Sequence, residues 1–272
     1  MNAWNRCRVA ALTALLAAGA WTAQPVAAQI PGELIKKGTG QRVTGNLSWR
    51  SGTKSYDVSG GGIQTTVPLD QVDSVRVAPP AGMEAAIKAV QQGASSGAPV
   101  ATLEKVVDTY LMLDHDLTAM RWLGEAYLRS GNAKEAVRRF DLVMANRTTA
   151  DLPAPTVRVY WNVLLAADRS SELRLQLGKA VEEGNRGVVA VAQVLRGDLD
   201  MKKQDFRSAL VDGYLRTVVL FADVREVQPE ALFKAAKCFE ELRESQNAEK
   251  MRKKLLSEFP DSTYSKQINS GS

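Results

Sequence analysis

The sequence predicts a mostly helical protein: an α-solenoid of about five helix pairs preceded by a small antiparallel β barrel-like module. Three observations carry this reading. Apolar residues alternate with period two from about Glu33 to Val77. The pair Pro79-Pro80 then interrupts the chain. From Met83 to about Lys266 the apolar residues recur at helical spacing.

The first residues are expected to act as an export signal. Arg6 and Arg8 precede an apolar run from Val9 to Ala20, and Val26-Ala27-Ala28 places small residues where a signal peptidase reads. Residues 1–28 are therefore expected to be removed before Gln29. The run is about a dozen residues, short of the roughly 20 that span a bilayer, so no transmembrane segment is expected after cleavage. The expected destination is the periplasm or cell envelope. The formal charge of +5 includes Arg6 and Arg8, so the exported chain carries +3, too small a surplus to indicate nucleic acid. Cys7 leaves with the signal, and Cys238 alone can form no intrachain disulfide. Among Ala235, Ala236 and Phe239 it reads as a small buried hydrophobe.

Residues 29–78 form the β module. Val43, Gly45, Leu47 and Trp49 alternate with polar residues, Ser51-Gly52 turns the chain, and Tyr56 and Val58 resume the alternation. Gly60-Gly61-Gly62 leads into Ile63, Thr65 and Val67, and Pro68-Leu69-Asp70 into Val72, Val75 and Val77. By strand count and turn placement the module is similar to the SH3-like and Sm-like small barrels. Residues 79–82 are the linker, because a proline pair cannot continue a strand ladder. Residues 83–266 are the helical part, with a loop over Gly93–Pro99, and residues 267–272 are expected to fray.

Within the helical part the clearest motif is Trp122-Leu123-Gly124-Glu125-Ala126-Tyr127, then Gly131-Asn132, Ala136 and Phe140. Gly124 and Ala136 lack bulk where two antiparallel helices approach, and Tyr127 and Phe140 fill in on either side. Asn132 and Glu135 have the spacing of a capping box at the second helix. This pattern resembles the tetratricopeptide repeat. The step of twelve residues between small side chains recurs from Gly197 to Ala209, with Tyr214 beyond, and from Ala236 to Ala248, with Phe239 and Leu255 as fillers and Pro260 at the end. Departures are visible too. Gly213 and Tyr214 are shifted by one from the expected aromatic place, and Asp200 stands where an aromatic is usual. Two further pairs, one within Met83–Leu113 and one of Pro155–Asp168 with Ser170–Glu183, follow from helix length rather than motif.

No constellation for catalysis, a cofactor or a metal emerges. His115, between Asp114 and Asp116 near a helix end, has no nucleophile or metal partner in any recognisable motif. Asp198 and Asp200 open like a calcium loop that is not completed. The basic run Lys250–Lys254 reads as a solvated face around Leu255. The reading is a non-enzymatic protein–protein scaffold or adaptor whose partner is another envelope protein. The resemblance implies a groove lined by first-helix residues: Arg121, Glu125 and Arg129, then Asp198 and Lys202, then Lys237 and Glu241. The competing reading is a cell-wall or glycan-binding protein, with Trp49 of the β module as aromatic platform and the helices as spacer.

Overall fold

The computed structural model describes residues 29–270; the predicted signal peptide, residues 1–28, lies outside the described residues. Strands β1 (Ile30–Lys36), β2 (Arg42–Arg50), β3 (Ser55–Gly60), β4 (Ile63–Pro68) and β5 (Val72–Val77) form one antiparallel sheet in the order β4-β3-β2-β1-β5. Alternation sets its faces. Leu34, Leu47, Trp49, Tyr56, Val58 and Val67 are buried on one side. Val72 and Val75 are three residues apart yet pack into the same core, because the register shifts by one residue between Ile35 and Lys36.

The sheet is open, and the expectation of a barrel-like module is corrected here. β4 and β5 are its two edges, although only the short 3-10 turn Leu69–Gln71 joins them. Such a link spans roughly 14 Å at most. The edges of a flat five-stranded sheet would lie about 19 Å apart, so the sheet must curl. It does not close because another segment fills its concave face. Tyr110, Leu111, Met112 and Leu113 pack into the same core as the inward residues of the strands. Tyr56 Oη donates a 2.7 Å hydrogen bond to the Met112 carbonyl.

That plug is the connector between two helices of the solenoid. Helices α1 (Met83–Gln91), α2 (Ala98–Thr109), α3 (Asp116–Arg129), α4 (Ala133–Met144), α5 (Ala154–Ala166), α6 (Ser170–Glu183) and α7 (Arg186–Lys202) stack as successive antiparallel pairs. The next helix, α8, runs as Phe206–Ser208, a π-helical Ala209–Tyr214 and Leu215–Leu220. Then come α9 (Gln228–Glu241), α10 (Ser245–Glu258) and α11 (Thr263–Ser270). First helices α1, α3, α5 and α7 pack on one another, and each second helix packs on the first helix of the next pair. The result is one continuous core from Met83 to Leu255.

Local chemistry explains the phase of this stack. A Cβ on Gly124 would come within 2.6 Å of Val159 Cγ1 and 3.0 Å of Phe140 Cε2, so three helices meet at its bare backbone. A Cβ on Gly213 would lie 2.5 Å from Gly197 Cα. The π turn inserts one residue into α8, which accounts for the one-residue offset of Gly213 and Tyr214 from the repeat pattern. Asn132 stands at the start of α4 but makes no side-chain cap; Glu135 instead accepts from Arg138 and Arg139, so the capping box expected there is absent. At the far end α11 continues through Gln267–Ser270, where the sequence predicts fraying. Ser265 Oγ donates to the Phe259 carbonyl (2.6 Å), and Tyr264 packs against Phe233 with ring centroids 5.3 Å apart.

Candidate interaction surface

The first-helix residues divide by what they touch. Arg129, at the last turn of α3, donates from Nη1 to the carbonyls of Val90 (2.9 Å) and Ala94 (3.2 Å), where α1 ends. Lys202, at the last turn of α7, donates to Leu165 O (2.9 Å) at the end of α5 and pairs with Asp168 (2.6 Å). Both place a cation on the exposed carbonyls and negative dipole end of the preceding first helix. Their spacing of 34 to 39 residues is that of one repeat unit. These two residues fasten units to each other.

Asp198 is half-buried and likewise engaged with its neighbours. Lys234 Nζ of α9 donates to both its oxygens (2.6 and 2.7 Å), and Tyr214 Oη of α8 donates to Oδ1 (2.7 Å). The same ammonium reaches Glu230 Oε1 at 2.5 Å, and Arg158 of α5 pairs with Glu230 Oε2. The chain Arg158–Glu230–Lys234–Asp198–Tyr214 thus ties α5, α7, α8 and α9 together. Glu230 is 6 % exposed and lies between the Arg158 and Lys234 cations. Burial, reinforced by the Asp198 carboxylate, drives the Tyr214 phenol far above its usual range and keeps it a donor.

Beside this network Cys238 is fully buried, with Sγ 3.3 Å from Met201 Sδ. Burial pushes its thiol up to about 12, helped by the nearby acids Asp198 and Glu241. It is a packed hydrophobe.

Besides Arg129 and Lys202, whose side chains are exposed while they bridge units, four more predicted groove residues lie on or near the surface. Arg121 lays its guanidinium over its neighbour Trp122, 4.6 Å from the ring, and its Nε is buried without a hydrogen-bond partner. Glu125 is half-buried one turn later. Lys237 and Glu241 are exposed on α9, and Lys237 Nζ stands 4.5 Å above the Phe233 ring. Phe233, Ala236, Lys237 and Glu240 of α9 face Arg252 and Leu256 of α10 across an open groove of about 680 Å³, which α11 borders. Its floor is apolar and its rim carries both signs of charge, with Arg252 paired to Glu240. That arrangement suits a peptide or helix with an apolar anchor and charged flanks.

A second cleft, of about 520 Å³, opens where the sheet meets the solenoid, between Leu69 and Val75 of the sheet and Met112, His115 and Arg147. Asp116, only 2 % exposed, organises it. Its carboxylate accepts from Met112 N (2.8 Å), Leu117 N (2.8 Å) and both Arg147 amino groups (2.7 and 3.1 Å). Burial raises this carboxyl while Arg147 pulls it the other way. His115, at a left-handed φ of 69° before α3, holds Nε2 3.1 Å from Val77 O on β5. It joins the helices to the sheet rather than pointing freely to solvent. Trp49 is 8 % exposed, tilted against Tyr56 with centroids 4.8 Å apart, and so offers no open aromatic face.

Sequence reading missed Asp116, Arg147, Arg158, Glu230 and Lys234. The only available signal was a charge set inside an apolar stretch, as in Val157-Arg158-Val159, and the four-residue step from Glu230 to Lys234. The packing residues Trp122, Leu123, Tyr127, Ala136, Phe140, Ala209, Ala236, Phe239 and Ala248 all belong to or border the helical core, whereas Pro260 is exposed in the turn before α11.

Among the described residues no helix is long and apolar enough to cross a membrane. In comparison with known proteins, residues 230–262 match the tetratricopeptide repeat family. These residues are α9, α10 and the turn that follows them. No curated protein and no solved structure matches the chain. The last complete helix pair is therefore similar to a tetratricopeptide repeat, which points to a protein–protein interaction module of a typically non-enzymatic kind.

Proposed function

We propose that this protein is a scaffold or adaptor of the bacterial cell envelope, exported by residues 1–28, that holds another envelope protein without catalysing a reaction. The observation that carries the reading is the tetratricopeptide match at residues 230–262, on the same helix pair that forms the 680 Å³ groove. Phe233 and exposed Lys237 line that groove and exposed Glu241 follows one turn beyond Lys237 on the same helix, whereas Arg129, Asp198 and Lys202 are engaged with neighbouring units. The terminal pair is thus the part of the predicted surface where exposed charges stand beside an open groove for a partner. Export rests on the positive head, short apolar run and small-residue cleavage motif.

The test is a crosslinking pull-down from the native envelope with the protein and its Lys237→Glu, Glu241→Lys double variant. Retention of the captured partner by the wild type and its loss from the variant, at an unchanged melt, is the expected result. Equal capture by both overturns the groove assignment. N-terminal sequencing of the envelope form should begin near Gln29; a chain that still starts at Met1 overturns cleavage.

A further inference from the structure

The two edges of the sheet are not alike. β5 is guarded: His115 sits on Val77 O at 3.1 Å, Lys37 N donates to Gln71 O at the other end, the ladder is bulged, and Asp73 and Arg76 carry charge. These are the devices that keep a strand edge from pairing. β4 has neither charge, bulge nor capping contact, and its one edge-guarding residue, Pro68, stands at the very end of the strand. Ile63-Gln64-Thr65-Thr66-Val67-Pro68 carries no charge, pairs with β3 over six consecutive residues without a shift, and leaves Ile63 71 % exposed.

The phase of the ladder fixes which groups β4 presents outward. Gly61 and Gly62 form a two-residue turn, so Gly60 and Ile63 close the hairpin, and at the other end Leu69 N donates to Lys54 O (2.9 Å). Ile63, Thr65 and Val67 therefore direct their main-chain groups to β3. Gln64 and Thr66 direct theirs away from the sheet. Pro68, which has no N–H, falls in the outward set, where it removes no bond from the β3 ladder.

We infer that β4 pairs antiparallel with β4 of a second copy of this chain, about a two-fold axis through Thr65 and perpendicular to the sheet. That register centres the pairing on the strand and uses all of its residues from Ile63 to Val67. Thr65 faces its own counterpart, Ile63 faces Val67 of the second copy on the inner side, and Gln64 faces Thr66 on the outer side. From Ile63 to Val67 each cross-strand pair is then β-branched with β-branched or polar with polar, Pro68 falls opposite Gly62 at the end of the ladder, and the strand brings no charge of its own to the pairing. Gln64 and Thr66 form the hydrogen-bonded pairs that use the outward N–H and C=O groups of both strands. A second copy fits better than a charged partner segment, because the strand offers no ionic group to read one. Each copy's concave face stays plugged by its own Met112 and Leu113.

The experiment measures sedimentation of the purified protein from low to high micromolar concentration, with two variants. The wild type is expected to pass from monomer to dimer. Ile63→Lys, at an exposed position, should weaken dimerisation roughly tenfold or more by setting a cation against Val67, with the melt unchanged. Thr65→Cys should form a disulfide-linked dimer under mild oxidation, because facing residues of a non-hydrogen-bonded pair lie about 4.5 Å apart at Cα, within disulfide range. Thr44→Cys, exposed on β2, is the control and should not crosslink. A protein that stays monomeric throughout overturns the inference. So does a dimer that is indifferent to Ile63→Lys and is not captured through Thr65→Cys, since its interface lies elsewhere.

Discussion

Tyr56 of the sheet and Met112 of the α2–α3 connector are 56 residues apart and share a buried 2.7 Å hydrogen bond, phenol to main-chain carbonyl. The contact makes the connector part of the sheet's core. Tyr56→Phe leaves that carbonyl unsatisfied and should destabilise the protein by about 1–3 kcal/mol. Met112→Ala, which opens a cavity between sheet and helices, should cost about 2–5 kcal/mol. Urea melts followed by both circular dichroism and tryptophan fluorescence check this. Trp49 lies in the sheet and Trp122 and Trp161 in the helices, so a partial fluorescence change that precedes the loss of helix would show the sheet detaching first.

Asp116 and Arg147 form the buried ion pair behind the same connector. Asp116→Ala strands the guanidinium and frees the Met112 and Leu117 amides, so a loss of about 3–5 kcal/mol is expected. The double variant Asp116→Ala, Arg147→Met should recover part of it, because it removes the unpaired charge. A chemical melt of the three proteins reads the difference directly.

Overpacking tests the helix crossings. Gly124→Leu must displace Val159 and Phe140 and should destabilise by about 1–3 kcal/mol. Gly213→Ala sets a methyl against the α7 backbone rather than a movable side chain, so it should be as harmful for a smaller change. A neutral denaturant melt for either would place the crossing elsewhere.

Alkaline stability follows from Cys238. Its thiol is held near 12 when folded, above its ordinary value of 9.0, so the unfolded chain loses this proton first as pH rises. Stability is then unaffected below pH 9.0 and falls as pH climbs through the interval to about 12. Tyr214 shifts in the same direction. Cys238→Ala should flatten part of this decline in melts recorded across that range. The native thiol should also resist alkylation at pH 8 and react fully in denaturant.

Binding and stability should separate along the first helices. Lys202→Ala removes the cation that caps α5, so it should lower the melt, by about 1 kcal/mol, and leave partner capture intact. Lys237→Glu, in the terminal groove, should do the reverse. A pull-down and a melt on each single variant distinguish the two roles.

Local periodicity determined most of this architecture. The two-residue alternation of Val43 to Trp49 and the helical spacing after Met83 are properties of neighbouring side chains, so the strands, the helices and the break at Pro79-Pro80 were legible without a fold. Small residues at Gly124, Gly197 and Ala236 marked helix contacts for the same reason: only a side chain without bulk permits close approach. Three features were decided by tertiary structure. The sheet stays open because Met112 and Leu113, from a connector with no strand signal, occupy the space a closed barrel would fill. The shift of Gly213 and Tyr214 became a π turn only once Gly197 lay against Gly213. Asp198, Lys202 and Arg129 read as groove charges by their spacing along a first helix, yet their partners come from other helices, 16 to 39 residues away. A helix face can be computed from a 3.6-residue period; which of its charges meets solvent depends on the neighbour that packs against it, and that neighbour is placed by the core as a whole.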